Sequence, residues 1–513
     1  MMKVIFMNRD ILSTVIVMIS IFFSRIMGFV KIKVFSYYFG ANLEADIFNY
    51  VFNIPNNLRK LISEGAMTSA FMPEFAHERN KSNNHAIDFF RRVITFNIIS
   101  ISFIVCIMIF FSRQIIYFVS SYRDSNLELA SYIFNYLILY VLLISLASVF
   151  AAVLNSYKFF FIPSFSSVML SFSIILSISL FYRQYGIYSA VIGVIVGGIL
   201  QFLVQMINCI YIGITYKPTL NFNDPSFLRF LNRWAHIILS AFLAIVTQQV
   251  SFGLASTLDI GSVSVLSNAI VYYQLPVGLF YVSISTVIFP KMVEYASLGN
   301  TKELNLILNR GIDILIFLLV PISFLMYIWA DPILNLLLTG GKFSVYDTQR
   351  TVKVLQYFLI GLPFSSVFGL FQKYYFSVRD SRIPLYFNLF FAVIDIAISV
   401  FGVYFYKVVD ILPLAQSISF ILCVIIFYFF GLKSGIKLEF ISSSIALIKA
   451  FISIIPLYLF YTLFKNFKWD VGFSFYNFYL LSVAGALSII ILILCYYLLG
   501  VSKFFKFISK EVA

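Results

Sequence analysis

The residues best suited to chemistry in this sequence are charged side chains within its first apolar segments. Three of them are basic, Arg25, Lys31 and Arg59, and two are acidic, Asp46 and Glu64. Arginine offers two parallel N–H donors that match the oxygens of a phosphate, and lysine offers a mobile point charge. Three cations set in apolar sequence therefore predict a cavity that binds an anionic, phosphate-like group.

The two acids are predicted to act on these cations rather than on the anion. Asp46 and Glu64 either pair with the cations while the cavity is empty or gate one end of it. Pairing that only neutralises buried charge, with no part in binding, stays open as an alternative. Lys33 is expected to extend to the membrane interface instead.

A second group of polar residues lies later in the chain. Asp395 stands within an apolar run, and Gln248 and Gln249 are adjacent within another. These residues predict either a small cation site or a hydrogen bond between helices, and we favour the hydrogen bond.

Catalytic motifs are missing from the sequence. It contains no GxSxG, GxxxxGK[ST] or HExxH motif, and its four cysteines lie in apolar runs without CxxC spacing. We therefore predict neither an enzyme nor a metal site. Without a nucleotide-binding loop, any transport must be driven by an ion gradient, by the membrane potential or by the substrate's own imbalance.

The elements that position these residues must cross a lipid bilayer. The chain of 513 residues is 61% hydrophobic and only 11% charged, whereas soluble domains are about 25% charged. So few polar residues cannot cover a water-exposed surface. The net charge of +14 is dispersed between apolar blocks, which argues against a nucleic-acid-binding domain.

Apolar runs of about 20 residues are transmembrane candidates, and we place fourteen of them. The first has no small-residue cleavage site after it, so it is predicted to be a retained helix and not a signal peptide. The predicted fold class is an all-α integral membrane protein with 14 transmembrane helices. The predicted spans are 11–37, 46–74, 91–120, 128–154, 161–182, 186–213, 230–256, 261–289, 310–336, 351–376, 383–406, 411–432, 443–464 and 475–500.

Charge in the loops orients these spans. With a cytoplasmic N-terminus, 21 Lys and Arg residues fall on the cytoplasmic side and 9 on the other side. Cytoplasmic loops carry the excess of basic residues in membrane proteins. The distribution therefore predicts that both termini are cytoplasmic.

Three segments anchored by proline recur in the same order at nearly one offset. The offset lies between 217 and 221 residues and joins Pro55 with Pro276, Pro73 with Pro290, and Pro163 with Pro384. It predicts two pseudo-symmetric six-helix lobes related by an axis along the membrane normal, which suits alternating access. The predicted parts are a first lobe at 1–215, a second lobe at 216–436, and two further helices with the C-terminus at 437–513.

The opening block resembles a known family. "SRIMGFVK", "DIFNYVFNIPNNLR" and "EGAMTSAFMP", together with "YQLPVG" at 273–278, resemble blocks of the MurJ/MviN lipid II flippases. These belong to the multidrug/oligosaccharidyl-lipid/polysaccharide exporter superfamily. The resemblance implies movement of undecaprenyl-pyrophosphoryl disaccharide-pentapeptide, the peptidoglycan precursor, from the inner to the outer leaflet.

The resemblance also implies roles for the charged residues. The family's cavity arginines fall on Arg25 and Arg59, its third basic position falls on Lys31, and its acidic positions fall on Asp46 and Glu64. The last two helices, within 437–513, would form a groove for the prenyl tail.

Two positions depart from the family pattern. Val271 stands where the family usually has an arginine five residues before the proline of the LPVG block, and Ile32 replaces an acid. The first-lobe cations then either bind the pyrophosphate alone or are helped by another polar residue such as Gln274.

Partners and location follow from the resemblance. It implies lipid II as substrate, a bacterial cytoplasmic (inner) membrane, and a monomer, alone or with the cell-wall synthesis complex. No cofactor is assigned, and Na⁺, Cl⁻ and the membrane potential stay open as the energy source. Two other functions stay open at this point: a cation-coupled multidrug exporter of the same superfamily, and a non-transporting scaffold for cell-wall enzymes.

Overall fold

The computed structural model describes residues 20, 23–59, 67–378, 380, 382–433, 436, 438–464, 467 and 469–501. Within these residues the chain consists of α-helices joined by turns, with a π-helical turn at Val277–Tyr281. The helices are α1 (23–39), α2 (Leu43–Arg59), α3 (Thr68–Lys81), α4 (Asn83–Phe110), α5 (Ser112–Val119), α6 (Asp124–Leu137), α7 (Leu139–Ser156), α8 (Phe161–Tyr185), α9 (Tyr188–Tyr211), α10 (Pro225–Ala255), α11 (Ser262–Pro276), α12 (Val282–Ser297), α13 (Thr301–Ile328), α14 (Ala330–Leu337), α15 (Val345–Ser377), α16 (Arg382–Tyr406), α17 (Ile411–Lys433), α18 (Phe440–Phe464) and α19 (Phe475–Leu498).

The helices confirm an all-α membrane protein. Eleven segments of the described chain are helical, long enough and apolar enough to cross a bilayer, and they coincide with eleven of the fourteen predicted spans. The first two predicted spans fall partly outside the described residues. The seventh coincides with α10. Helices are expected here, because in lipid they satisfy their own backbone hydrogen bonds.

Local sequence explains where several helices begin and end. Ser344 and Asp347 form a reciprocal capping box at the start of α15. Asp224 caps α10 by accepting from the backbone N–H groups of Ser226 and Phe227, with Pro225 at the first helical position. Gly186 ends α8 with a φ of +51°, a left-handed conformation that glycine adopts readily.

Packing divides the chain into two compact units, residues 1–263 and 264–513. The predicted first boundary lies at 215/216, and α10, which is predicted to open the second lobe, packs with the first unit instead. The predicted three-part division at 215/216 and 436/437 describes the repeat and stays a prediction. Two of its anchors occupy equivalent places, since Pro163 and Pro384 are each the third residue of their helix, α8 and α16.

Aromatic side chains and small residues build the interior of the first unit. Phe71, Phe89 and Phe230 belong to a buried cluster that joins α3, α4 and α10. Gly193 of α9 lies so close to α8 that a Cβ there would stand 2.6 Å from Cα of Ile174. Small residues let membrane helices approach at the level of their backbones, which explains the tight α8–α9 pair.

The second unit is built around α13 and α15. Helices α17 and α18 pack against this pair, and α16 packs on α17. The ring of Phe427 stacks on Phe371 with centroids 4.9 Å apart and on Phe387 with centroids 3.8 Å apart. These aromatic contacts hold α15, α16 and α17 together.

Candidate functional site

The structure brings Lys31 and Arg59 together. Lys31 lies on α1 and Arg59 at the end of α2, both are half-buried, and their like charges interact. The Arg59 guanidinium is oriented by Asn56 on its own helix, whose Oδ1 accepts from Nε at 3.2 Å and from Nη2 at 3.1 Å. Two cations within electrostatic reach of each other on apolar helices favour the binding of an anion.

Arg25 lies on the same helix as Lys31 but its side chain is exposed. Six residues of α-helix place the two Cα atoms about 9 Å apart along the axis. Beside Arg25, the hydroxyl of Ser24 contacts that of Ser167 at 2.8 Å, which ties α1 to α8. The third predicted cation is therefore accessible, and it stands on an anchored part of the helix.

Asp46 is buried at the opposite end of α2 from Arg59. Its Oδ2 accepts a hydrogen bond of 2.6 Å from the backbone N–H of Gly261, and Gly261 has a φ of +91°. One helical turn later, the Tyr50 hydroxyl donates to the carbonyl of Val119 at 2.6 Å. Asp46 therefore ties the start of α2 to the turn between α10 and α11.

The remaining predicted site residues have separate surroundings. Glu64 lies outside the described residues. Gln249, on α10, lies beside the Tyr50 hydroxyl, and Gln248 next to it is half-buried. Asp395 belongs to the second unit, where it is buried, and its Oδ1 has no hydrogen-bond partner within the described chain. The cation site and the helix–helix hydrogen bond both stay predictions for this group.

One buried acid of the second unit was missed by the sequence analysis. Asp313, in α13, accepts hydrogen bonds from the hydroxyls of Ser442 at 2.6 Å and Ser443 at 3.0 Å. Nearby, Asn309 Oδ1 accepts from the backbone N–H of Glu439 at 2.9 Å. These contacts tie α13 to the start of α18. The sequence does carry a signal for this residue, because Asp313 is an acid within a predicted span, as Asp395 is.

A large apolar cavity opens beside this polar contact. Its volume is about 1120 Å³, above the range of about 300–1,000 Å³ that is usual for small-molecule sites. Residues of α13, α15, α17 and α18 line it, including Ile316, Phe364, Tyr428 and Leu447. No described residue of α19 is among the lining residues. Such a space suits a long hydrocarbon chain.

The position of the missing arginine lies on α11. Val271 is half-buried and Gln274, nearly one turn later on the same face, is exposed. In the described parts of the chain, no group of three or more His, Cys, Asp or Glu side chains could hold a metal ion.

Many membrane-crossing helices, a pair of cations on α1 and α2, and an apolar cavity define a transporter of an anionic, lipid-like molecule. Comparison with known proteins narrows this class. A sequence model described as "Lipid II flippase MurJ" matches residues 35–480. The chain is 62% identical over 505 residues to the probable lipid II flippase MurJ of Borreliella burgdorferi, covering 98% of this chain and all of the relative. The chain belongs to the MurJ lipid II flippase family, whose members are transporters and not enzymes.

More distant comparisons agree with this assignment. The lipid II flippase MurJ of Burkholderia cenocepacia is 25% identical over 375 residues, which is 71% of this chain and 72% of the relative. A solved MurJ structure in an inward closed conformation matches with a TM-score of 0.78 at 25% identity, covering 96% of this chain and all of that one. An inward-facing multidrug transporter of the MATE family shares the fold, with a TM-score of 0.66 at 12% identity, covering 79% of this chain and 93% of that one.

Proposed function

We propose that this chain is a lipid II flippase. It moves undecaprenyl-pyrophosphoryl-linked peptidoglycan precursor from the inner to the outer leaflet of the bacterial cytoplasmic membrane by alternating access. The observation that carries the proposal is the approach of Lys31 to Arg59. Two like charges in half-buried surroundings repel each other, and a pyrophosphate bound to both would offset the repulsion.

Each part of the substrate has a counterpart in the chain. Arg25, Lys31 and Arg59 bind the pyrophosphate, and Asp46 closes one end of the cavity through its bond to Gly261. The prenyl tail occupies the apolar cavity beside α18, whose volume and lining support this role. The excess of basic residues in alternate loops supports cytoplasmic termini.

The test is complementation of a flippase-depleted bacterium. The wild-type chain is expected to restore growth, while Arg59→Ala and Lys31→Ala each lower transport at least tenfold, because each removes a charge that pairs with pyrophosphate. Arg25→Ala is expected to act in the same direction. Lipid II flipping by purified protein in liposomes measures the rates.

Lys33→Ala is the matched control. Lys33 lies two residues from Lys31 on the same helix and is half-buried as well, but it is expected at the membrane interface, so its loss should leave flipping unchanged. Growth supported equally by wild type, Arg59→Ala and Lys31→Ala would refute pyrophosphate binding by these cations and would favour a scaffold. A correctly inserted wild-type chain that flips no lipid II would refute the transport proposal itself.

A further inference from the structure

The start of α10 is held to α3 by a carboxylate that the site described above does not use. Glu74 is buried on α3, and each of its two carboxylate oxygens forms an ion pair with a different arginine of α10. Arg229 Nε lies 3.0 Å from Oε2, and Arg233 Nη1 lies 3.1 Å from Oε1. Arg229 and Arg233 are four residues apart and thus project from one face of the helix. One carboxylate therefore fixes both the height and the rotation of α10 against α3.

The arginines of this contact are accessible to water while the carboxylate is not. The side chains of Arg229 and Arg233 are 46% and 51% exposed, whereas that of Glu74 is 6% exposed. Salt screens this contact from its exposed side. Breaking it with α10 in place would leave the Glu74 carboxylate buried without a partner, so the contact breaks only together with a movement of α10 that lets water reach the carboxylate.

A second ion pair strengthens the same end of α10. Arg92 of α4 contacts Asp224, the N-cap of α10, at 3.2 Å. Burial would raise the pKa of Asp224, but hydrogen bonds from Ser226 and the charge of Arg92 outweigh it and hold the pKa below its usual value. Asp224 is thus ionised at neutral pH, and the start of α10 carries charge pairs to both α3 and α4.

The far end of α10 is held differently. The backbone N–H of Ser121 donates to Ser256 Oγ at 3.0 Å, and Gly253 lies so close to α5 that a Cβ there would stand 2.6 Å from the carbonyl oxygen of Val119. These are short contacts with no charge pair. The two ends differ in kind: a tight backbone contact at one end and an ionic contact at the other.

We propose that Glu74 is a positioning residue for transport, acting as a latch on α10. In the state described here it holds the first turns of α10 against α3 through Arg229 and Arg233, and its release lets this half of the helix swing about the fixed end. The inference rests on the proposed flippase function for its purpose, but the latch itself is a contact within the first unit and is tested without substrate.

The experiment measures the distance between α3 and α10 in reconstituted protein. Spin labels are attached to cysteines at Asn80→Cys and Leu228→Cys, two exposed positions, with the four native cysteines replaced by alanine. Double electron–electron resonance measures the distance between the two spin labels. We expect one main distance when Glu74 is present. Glu74→Gln removes the charge but keeps the shape, and is expected to raise the population at longer distance at least threefold.

Glu78→Gln is the matched control. Glu78 is also buried on α3, but it pairs with Lys81 and His77 of its own helix. Burial would raise its pKa, yet the hydrogen bonds and charges of Lys81 and His77 hold it below its usual value, so the control removes a real ion pair. It should leave the α3–α10 distance as in wild type.

A charge-inverted variant separates pairing from packing. Glu74→Arg combined with Arg229→Glu and Arg233→Glu keeps one charge between two opposite ones, and it should return the distance towards the wild-type value. A folded Glu74→Gln protein with the wild-type distance would overturn the latch, and so would an inverted variant that stays at the longer distance. A wild-type protein that flips no lipid II would instead refute the proposed function and leave this measurement standing.

Discussion

At the scale of single residues, two of the charged side chains predicted for the site receive or donate hydrogen bonds with neutral groups. Arg59 is oriented by the neutral Asn56, and Asp46 accepts from a backbone N–H group. A neutral partner fixes the direction of a charged side chain and leaves its charge in place.

Asp46 gives a prediction about stability. Asp46→Ala leaves the buried N–H of Gly261 without an acceptor, which should lower the free energy of unfolding by about 1–3 kcal/mol. Asp46→Asn keeps a carbonyl acceptor and should lower the free energy of unfolding less than Asp46→Ala does. Thermal unfolding of the detergent-solubilised protein provides the measurement.

Glu44→Ala is the comparison for this change. Glu44 stands in the same first turn of α2 but is exposed, so its removal should change the unfolding temperature little. If Glu44→Ala and Asp46→Ala lowered the unfolding temperature equally, stability would depend on negative charge near the start of α2 and not on the hydrogen bond from Gly261 to Asp46.

At the scale of helices, the sequence predicted position well and partners poorly. Apolar length sets where a helix crosses lipid, so eleven predicted spans coincide with described helices that are long and apolar enough to cross a bilayer. Contacts such as that of Glu74 with Arg229, which are 155 residues apart in the chain, depend on how helices pack. The break at Phe111 between α4 and α5 was also missed, because apolar sequence continues across it.

The repeat and the packing describe α10 differently. Its sequence repeat assigned it to the second lobe, yet its contacts assign it to the first unit. A repeat reports the ancestry of a segment, and packing reports its present neighbours. Lys31 and Arg59 were predictable as a pair because the chain between them is short and turns once, at Gly40, where φ is +69°.

Close helix packing gives a prediction at this scale. Gly193→Ala places a methyl group 2.6 Å from Cα of Ile174, and backbone atoms cannot move aside as a side chain can. Overpacking of this kind should lower the free energy of unfolding by about 1–3 kcal/mol. The Gly193→Ala protein should therefore unfold at a lower temperature than the wild type.

Gly485→Ala provides the control in α19. A Cβ at Gly485 meets nothing within 4 Å, so only the helix-favouring effect of alanine remains, which is worth about 0.5–1 kcal/mol. Circular dichroism during heating measures the unfolding temperature of both variants. If Gly193→Ala melted as high as Gly485→Ala, the close approach of α8 and α9 would not be needed for stability.

At the scale of the whole molecule, each of the two units has a chemistry of its own. The first unit holds half-buried cations on α1 and α2, and the second holds a large cavity lined by apolar side chains. Under the proposed function, the pyrophosphate of lipid II binds the cations and its long prenyl chain binds in the apolar cavity. A small cationic drug has neither, which is why the cation-coupled exporter reading is disfavoured.

This division predicts that tail binding can be impaired separately from head binding. Leu447→Trp, on the cavity face of α18, fills space that a long prenyl chain needs. It should slow flipping of full-length lipid II at least fivefold in liposomes, while an analogue with a short prenyl chain flips at the wild-type rate. Arg59→Ala should slow both substrates, because both carry the pyrophosphate. Leu459→Trp, on the same helix but 60% exposed, should slow neither. If Leu447→Trp slowed both substrates to the same extent, the cavity would serve the packing of the second unit and the tail would bind elsewhere.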